Sequence, residues 1–141
     1  MPAEDVARWL ARPAARPIPS DVEFARAVAE GLPPEVADAL LASGTLEPEE
    51  LYRLVVPRRT LAHRRQHGQR LSPEESDRLT RVARLVAFAE ETLGDAEKAR
   101  RWLHRPNRAL AGDFPIALLA SEHGARAVEA VLGRVAYGVF S

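Results

Sequence analysis

The chain has no cysteine, and that one absence removes disulfides, thiolate metal sites and cysteine nucleophiles together. Aromatic residues make up only 6% of it, and lysine is nearly missing, with Lys98 alone against nineteen arginines. No stretch approaches the roughly 18 apolar residues of a membrane span. Met1-Pro2-Ala3-Glu4-Asp5 sets no basic region ahead of an apolar run, so the expectation is a soluble, cytoplasmic protein with no membrane partner. The period-two alternation of a half-buried strand is absent as well, which leaves an all-α fold. Net charge is zero, twenty basic residues against twenty acidic, and taken globally it implies no attraction to nucleic acid.

What is present is unevenly placed. Residues 1–50 hold four arginines and ten acids, 51–70 hold six arginines and no acid, and 71–141 hold ten of each sign. The middle segment therefore stands out as basic. Around it, 46% hydrophobic content over 141 residues is enough for one packed domain or two very small ones.

Helix punctuation divides the chain. Pro13, Pro17 and Pro19 interrupt the opening stretch, predicting a short helix and an irregular connector. Ser20 with Glu23 predicts a helix from Asp21 to about Gly31, and Pro33-Pro34 begins another that ends near Ser43-Gly44. A third opens at Glu47-Pro48-Glu49-Glu50 and runs to about Val55. Val56-Pro57 then breaks the chain before a second short helix over about 58–67. Two short helices across a tight turn make a helix-turn-helix candidate, with Leu51, Leu54 and Leu61 as its apolar contacts. Arg58, Arg59, Thr60, His63 and Arg64 lie early on the second helix, where side chains reach phosphates and base edges. A solvated arginine face, or neutralisation by the acidic first fifty residues, is the alternative.

Ser72-Pro73-Glu74-Glu75 supplies an N-cap, a proline at the first helical position and a glutamate at the third. The long helix it opens carries Leu79, Val82, Val86, Ala89 and Leu93 at helical spacing and stops at Gly94. Asp95 caps a helix bearing Trp102 and Leu103. A loop over 106–112 follows, Pro115 begins a short turn, and Ser121 caps a final helix expected to bury Ala125, Val128, Val131, Leu132 and Val135. The resulting divisions are 1–44, a helical segment; 45–70, the helix-turn-helix unit; and 71–141, a second helical domain.

Catalytic and cofactor readings are weak, and none is expected. Glu74-Glu75 is explained by a helix start and Glu90-Glu91 by a solvated face, and no nucleophile elbow or glycine-rich phosphate loop accompanies His104 or His123. His63 and His67 have the spacing of zinc ligands, but four nearby arginines disfavour a cation and no acid lies between Glu50 and Glu74. With few aromatics, Trp102, Phe114 and Tyr137 are expected in the core. Phe140 is expected outside it, next to Ser141, with a partner to cover it.

Several pieces, in this order, resemble one family: Arg59-Thr60-Leu61 with Arg64-Arg65; Leu71 through Leu79; Gly94-Asp95 with Lys98-Ala99; Trp102-Leu103; Pro106-Asn107 with Leu110; Gly112 with Pro115; Gly124-Ala125-Arg126 with Val128; Leu132-Gly133-Arg134; and Tyr137 through Ser141. The chain is similar to the Xre/MbcA/ParS antitoxins with their C-terminal toxin-binding domain. The resemblance implies an Xre-like helix-turn-helix that binds operator DNA and represses its own operon. It also implies a C-terminal part that neutralises a partner toxin, one that typically carries a RES domain and consumes NAD. Toxin contacts are then expected from the tail Tyr137, Gly138, Val139, Phe140 and Ser141, whose apolar end and carboxylate suit a cleft; the alternative is that the tail packs on its own domain and inhibition comes from contacts of Trp102, Asn107 or Arg134 or from an unproductive assembly. Phe114 departs from the polar residue usual there. A homodimer is expected, since such proteins read two half-sites, with its surface along the 72–93 helix. The competing reading is a stand-alone regulator whose C-terminal domain only dimerises.

Overall fold

The computed structural model describes residues 1–11 and 18–138, and within them the chain is all-α with no strand. The helices among the described residues are α1 (Asp5–Leu10), α2 (Asp21–Glu30), α3 (Glu35–Ala42), α4 (Pro48–Leu54), α5 (Arg58–Gln66), α6 (Pro73–Leu93), α7 (Ala96–Leu103), α8 (Pro115–Leu118) and α9 (Glu122–Ala136). A single 3₁₀ turn, Arg108–Leu110, lies between α7 and α8.

Helix starts follow the local chemistry. The side chains of Ser20, Ser72, Asp95 and Ser121 each accept from the backbone amide three residues on, at 3.2, 3.1, 2.8 and 3.0 Å. At α6 the box is reciprocal, with Glu75 accepting from the Ser72 amide at 2.8 Å. Gly94 ends α6 with a left-handed φ of 104°, a conformation costly for any side chain with a Cβ.

The central element is α6, packed by α2, α4, α7 and α9. Leu79, Val82, Ala83, Leu85, Val86 and Ala89 along it are at most 1% exposed. Most of the apolar face of α6 is spent on its own chain; Glu74, Asp77 and Glu91 are exposed, and Ala87, Phe88 and Leu93 are half-buried. In α9, Ala125, Val128, Val131 and Leu132 are buried as expected, while Val135 is only half-buried near the helix end.

The N-terminal helix is docked. Ala3, Val6 and Trp9 are buried, Trp9 meets Phe24 edge-on with ring centroids 5.7 Å apart, and α1 packs on α3. A backbone strap then ties α2–α3 to the start of α6. The Leu71 amide donates to the Leu32 carbonyl at 2.9 Å, and the Leu32 amide donates to Ser76 Oγ at 2.9 Å. Gly31 permits this approach, because a Cβ there would lie 2.9 Å from the Leu71 carbonyl oxygen and φ is +88°.

Candidate nucleic-acid interface and partner surface

The candidate helix-turn-helix unit places two short helices, α4 and α5, across the turn Val55-Val56-Pro57. Leu51, Leu54, Val55, Val56 and Leu61 are all at most 2% exposed, so the inner faces of both helices are closed against the core. The Val55 amide donates to the Leu51 carbonyl at 2.9 Å as the first helix ends. Pro57 caps α5 with an extended backbone, which is the conformation that stops α4 from continuing. From α6, Arg78 Nε donates to the Val55 carbonyl at 2.8 Å and so pins the turn itself.

The six arginines of the basic segment have different fates. Arg58 and Arg59 are exposed on the first turn of α5, with no ion pair among the described residues, and Thr60 beside them is half-buried. Arg53, on α4, is also exposed. Arg64 does not point outward as expected. Its guanidinium takes both oxygens of Glu75, Nε at 3.2 Å and NH2 at 3.3 Å, and reaches Gln69 Oε1 at 3.3 Å. Arg65 pairs with Asp38, and Arg70 pairs with Glu4 at 2.7 Å and donates to the Gly31 carbonyl at 2.8 Å. Neutralisation by the acidic N-terminal residues is thus real for Arg65 and Arg70 and does not extend to Arg58 or Arg59.

Burial would raise the Glu75 carboxyl, but the Ser72 amide and the Arg64 guanidinium outweigh it and hold the group below the usual carboxylate range. His63 and His67 are exposed with ring centroids 4.1 Å apart, and His67 Nδ1 lies 3.0 Å from the His63 carbonyl. Among the described residues, no three His, Asp or Glu side chains gather in a way that could hold a metal ion.

The C-terminal residues give a mixed picture. Trp102 is half-buried against the core, but Phe114 and Tyr137 are 45% and 86% exposed, which corrects their expected place inside it. Phe114 is the N-cap residue of the one-turn α8, and Tyr137 closes α9, so both are held where the chain leaves its own packing. The Asn107 side chain accepts from the Ala109 amide at 2.9 Å and organises its own loop. Arg134 is exposed and has a partner within the protein. Gly138 turns the chain with φ +67°. Val139, Phe140 and Ser141 lie outside the described residues.

Sequence reasoning missed what the 71–79 motif does beyond capping. Glu75 holds Arg64, Ser76 holds the Leu32 amide, and Arg78 holds the turn between α4 and α5. The available signal was Ser76 one turn before Leu79 on the inward side of the helix, where a buried polar group must find a partner. Another missed contact joins the two halves: Nε2 of His104, the C-cap residue of α7, sits 2.8 Å from Glu50 Oε2 of α4, with His104 Nδ1 2.7 Å from the Arg100 carbonyl.

Two family models match the chain. Residues 23–84, spanning α4 and α5 and most of the helices that support them, match the antitoxin Xre-like helix-turn-helix domain. Residues 88–138 match the antitoxin Xre/MbcA/ParS C-terminal toxin-binding domain. The chain is also similar to proteins named Antitoxin Xre. That of Pseudomonas putida is 36% identical over 119 residues, 84% of this chain and 74% of that protein. That of Yersinia enterocolitica is 35% identical over 113 residues, covering 79% and 76%. That of Photorhabdus laumondii is 30% identical over 114 residues, covering 79% and 77%.

Proposed function

Because this chain belongs to the Xre/MbcA/ParS antitoxin family, we propose that it represses its own operon through Arg58, Arg59 and Thr60 and silences a RES-type, NAD-consuming toxin through its C-terminal domain. The observation that carries the DNA half is the state of α5. Arg58 and Arg59 are exposed and unpaired on the first turn of the second helix of a helix-turn-helix, the position whose side chains enter the major groove. His63 lies one turn further on and adds a polar contact, while Arg64 holds the helix in place.

The partner half rests on the toxin-binding match together with Phe114 and Tyr137, large apolar side chains exposed on that domain. Exposed aromatics on a domain otherwise closed around its core suit a partner interface better than solvent. Trp102, Asn107, Arg134 and Gly138 are further proposed toxin contacts, and so, from the sequence, are residues 139–141. The role is binding rather than catalysis. The same match favours a toxin over a domain that only dimerises. Two copies are proposed to bind the two halves of an operator, through a surface other than the apolar face of α6.

The experiment is co-expression with the product of the neighbouring gene. Cellular NAD should fall when that product is expressed alone and recover with this chain. Arg58→Ala with Arg59→Ala should abolish retardation of the upstream DNA and leave NAD protected. Undiminished DNA binding by that variant would exclude the DNA half, and NAD that never falls would exclude the NAD-consuming partner.

A further inference from the structure

A second basic cluster lies in the C-terminal half, where the even charge count over 71–141 hides it. Residues 96–108 carry Lys98, Arg100, Arg101, Arg105 and Arg108 against one acid, Glu97. Within α7, Ala99 and Leu103 are turned into the core and Arg100 and Arg101 are exposed, as is Arg105 just beyond its end. Glu97 approaches Arg100 and Arg101 no closer than 3.7 and 3.8 Å, beyond hydrogen-bond reach, and Arg105 has no ion pair among the described residues. Pairs so long and exposed neutralise little.

The position of this cluster decides its partner. The contact between His104 and Glu50 fastens the end of α7 to the first turn of α4. Arg100, Arg101, His104 and Arg105 line a cleft of about 370 Å³ with Glu47, the N-cap residue of α4. In a helix-turn-helix bound to DNA the first helix crosses the phosphate backbone while the second enters the groove. A cationic cleft fixed at the start of that first helix therefore stands beside the element that crosses the phosphates. The first turn of α4 is itself acidic, with Glu47, Glu49 and Glu50, and would repel that strand without the cations beside it.

We propose that Arg101 and Arg105, supported by Arg100, bind phosphates of the DNA flanking the base-reading helix, so that the toxin-binding domain also forms part of the DNA interface. This rests on the reading of α4 and α5 as the DNA-binding unit. The contacts are independent of base sequence, because a guanidinium on a phosphate orients the duplex and reads no base. An acidic face of the toxin is the other occupant such a cluster fits, and the test separates the two.

Affinity of the full chain for a duplex carrying the upstream region of its own gene, and for a scrambled duplex of equal length, is measured across a salt series. Arg101→Ala with Arg105→Ala should weaken both duplexes by a similar factor and lower the salt slope by about 1.8 per bound copy, which is about 0.9 for each of two phosphates. Arg101→Lys with Arg105→Lys should restore most of the slope, and melting curves should match the parent because both side chains are exposed. Unchanged affinity and slope would overturn the proposal, as would weakening confined to toxin binding. Arg58→Ala with Arg59→Ala, run alongside, keeps the two readings apart. If that variant loses DNA and the α7 variant does not, only the α7 proposal fails.

Discussion

Arg64 and Glu75 form a two-point ion pair, Nε to Oε1 at 3.2 Å and NH2 to Oε2 at 3.3 Å, that joins the last turn of α5 to the first turn of α6. Glu75 also caps the Ser72 amide, so one carboxylate both starts the central helix and fixes the angle of the proposed recognition helix. An arginine that counts toward the basic segment is thereby a structural element of it, leaving Arg58 and Arg59 as the free charges of α5.

Arg64→Ala should destabilise the protein by about 2 kcal/mol, since it strips a charge-assisted pair from a nearly buried carboxylate. The pH dependence has a definite sign. The Glu75 carboxyl is held below its ordinary value in the folded state, so its contribution is full above that ordinary value and is lost as pH falls through the lowered one. Denaturant melts of parent and Glu75→Gln should therefore differ at neutral pH and converge in acid. A difference that stays constant into acid would contradict this account.

Ser76→Ala should cost about 1–3 kcal/mol although it changes one exposure-free hydroxyl, because the Leu32 amide would then be buried without an acceptor. Hydrogen exchange at Leu32 should accelerate more than at amides within α9. Equal acceleration everywhere would mean the strap is not where the energy is lost.

Glu90 presents the opposite case to Glu75. Burial pushes its carboxyl above the usual range, against the lowering effect of the Thr45 hydroxyl that donates to it. Ionising it penalises the folded state, and that penalty grows as pH rises from the ordinary carboxylate value through the raised one. Glu90→Gln keeps an oxygen for Thr45 and removes the charge, so it should melt about 3 °C higher at pH 7. The gain should vanish below the ordinary carboxylate value, and an unchanged melting temperature at pH 7 would refute the argument.

Gly124 closes the contact between α8 and α9. A Cβ there would lie 1.9 Å from the Leu118 carbonyl oxygen, a backbone atom held by its own helix. Gly124→Ala should cost about 3 kcal/mol, toward the upper end of ordinary overpacking, and weaken toxin binding more than DNA binding. Gly133→Ala, where a Cβ meets open space, is the matched control and should be near neutral or slightly stabilising. Similar losses from both would discount the close approach.

Helix boundaries and the helix-turn-helix were legible in the sequence because their causes are local. Ser20, Ser72, Asp95 and Ser121 each act on an amide three residues away, and Pro57 breaks the chain at its own position. The inward stripe of α6 was equally plain, since helical spacing alone puts Leu79, Val82, Val86 and Ala89 on one face. Which arginines remain free was decided only in three dimensions. The carboxylates that neutralise Arg64, Arg65 and Arg70 lie 11, 27 and 66 residues away in the chain, and Glu50 meets His104 across 54. Charge counted along a sequence measures what is present, whereas a binding surface depends on what is left unpaired after distant segments meet. That is why the basic stretch at 51–70 leaves only part of its arginines unpaired, and why the cluster on and just after α7, diluted in a neutral half of the chain, stands near the first turn of α4 only once His104 meets Glu50.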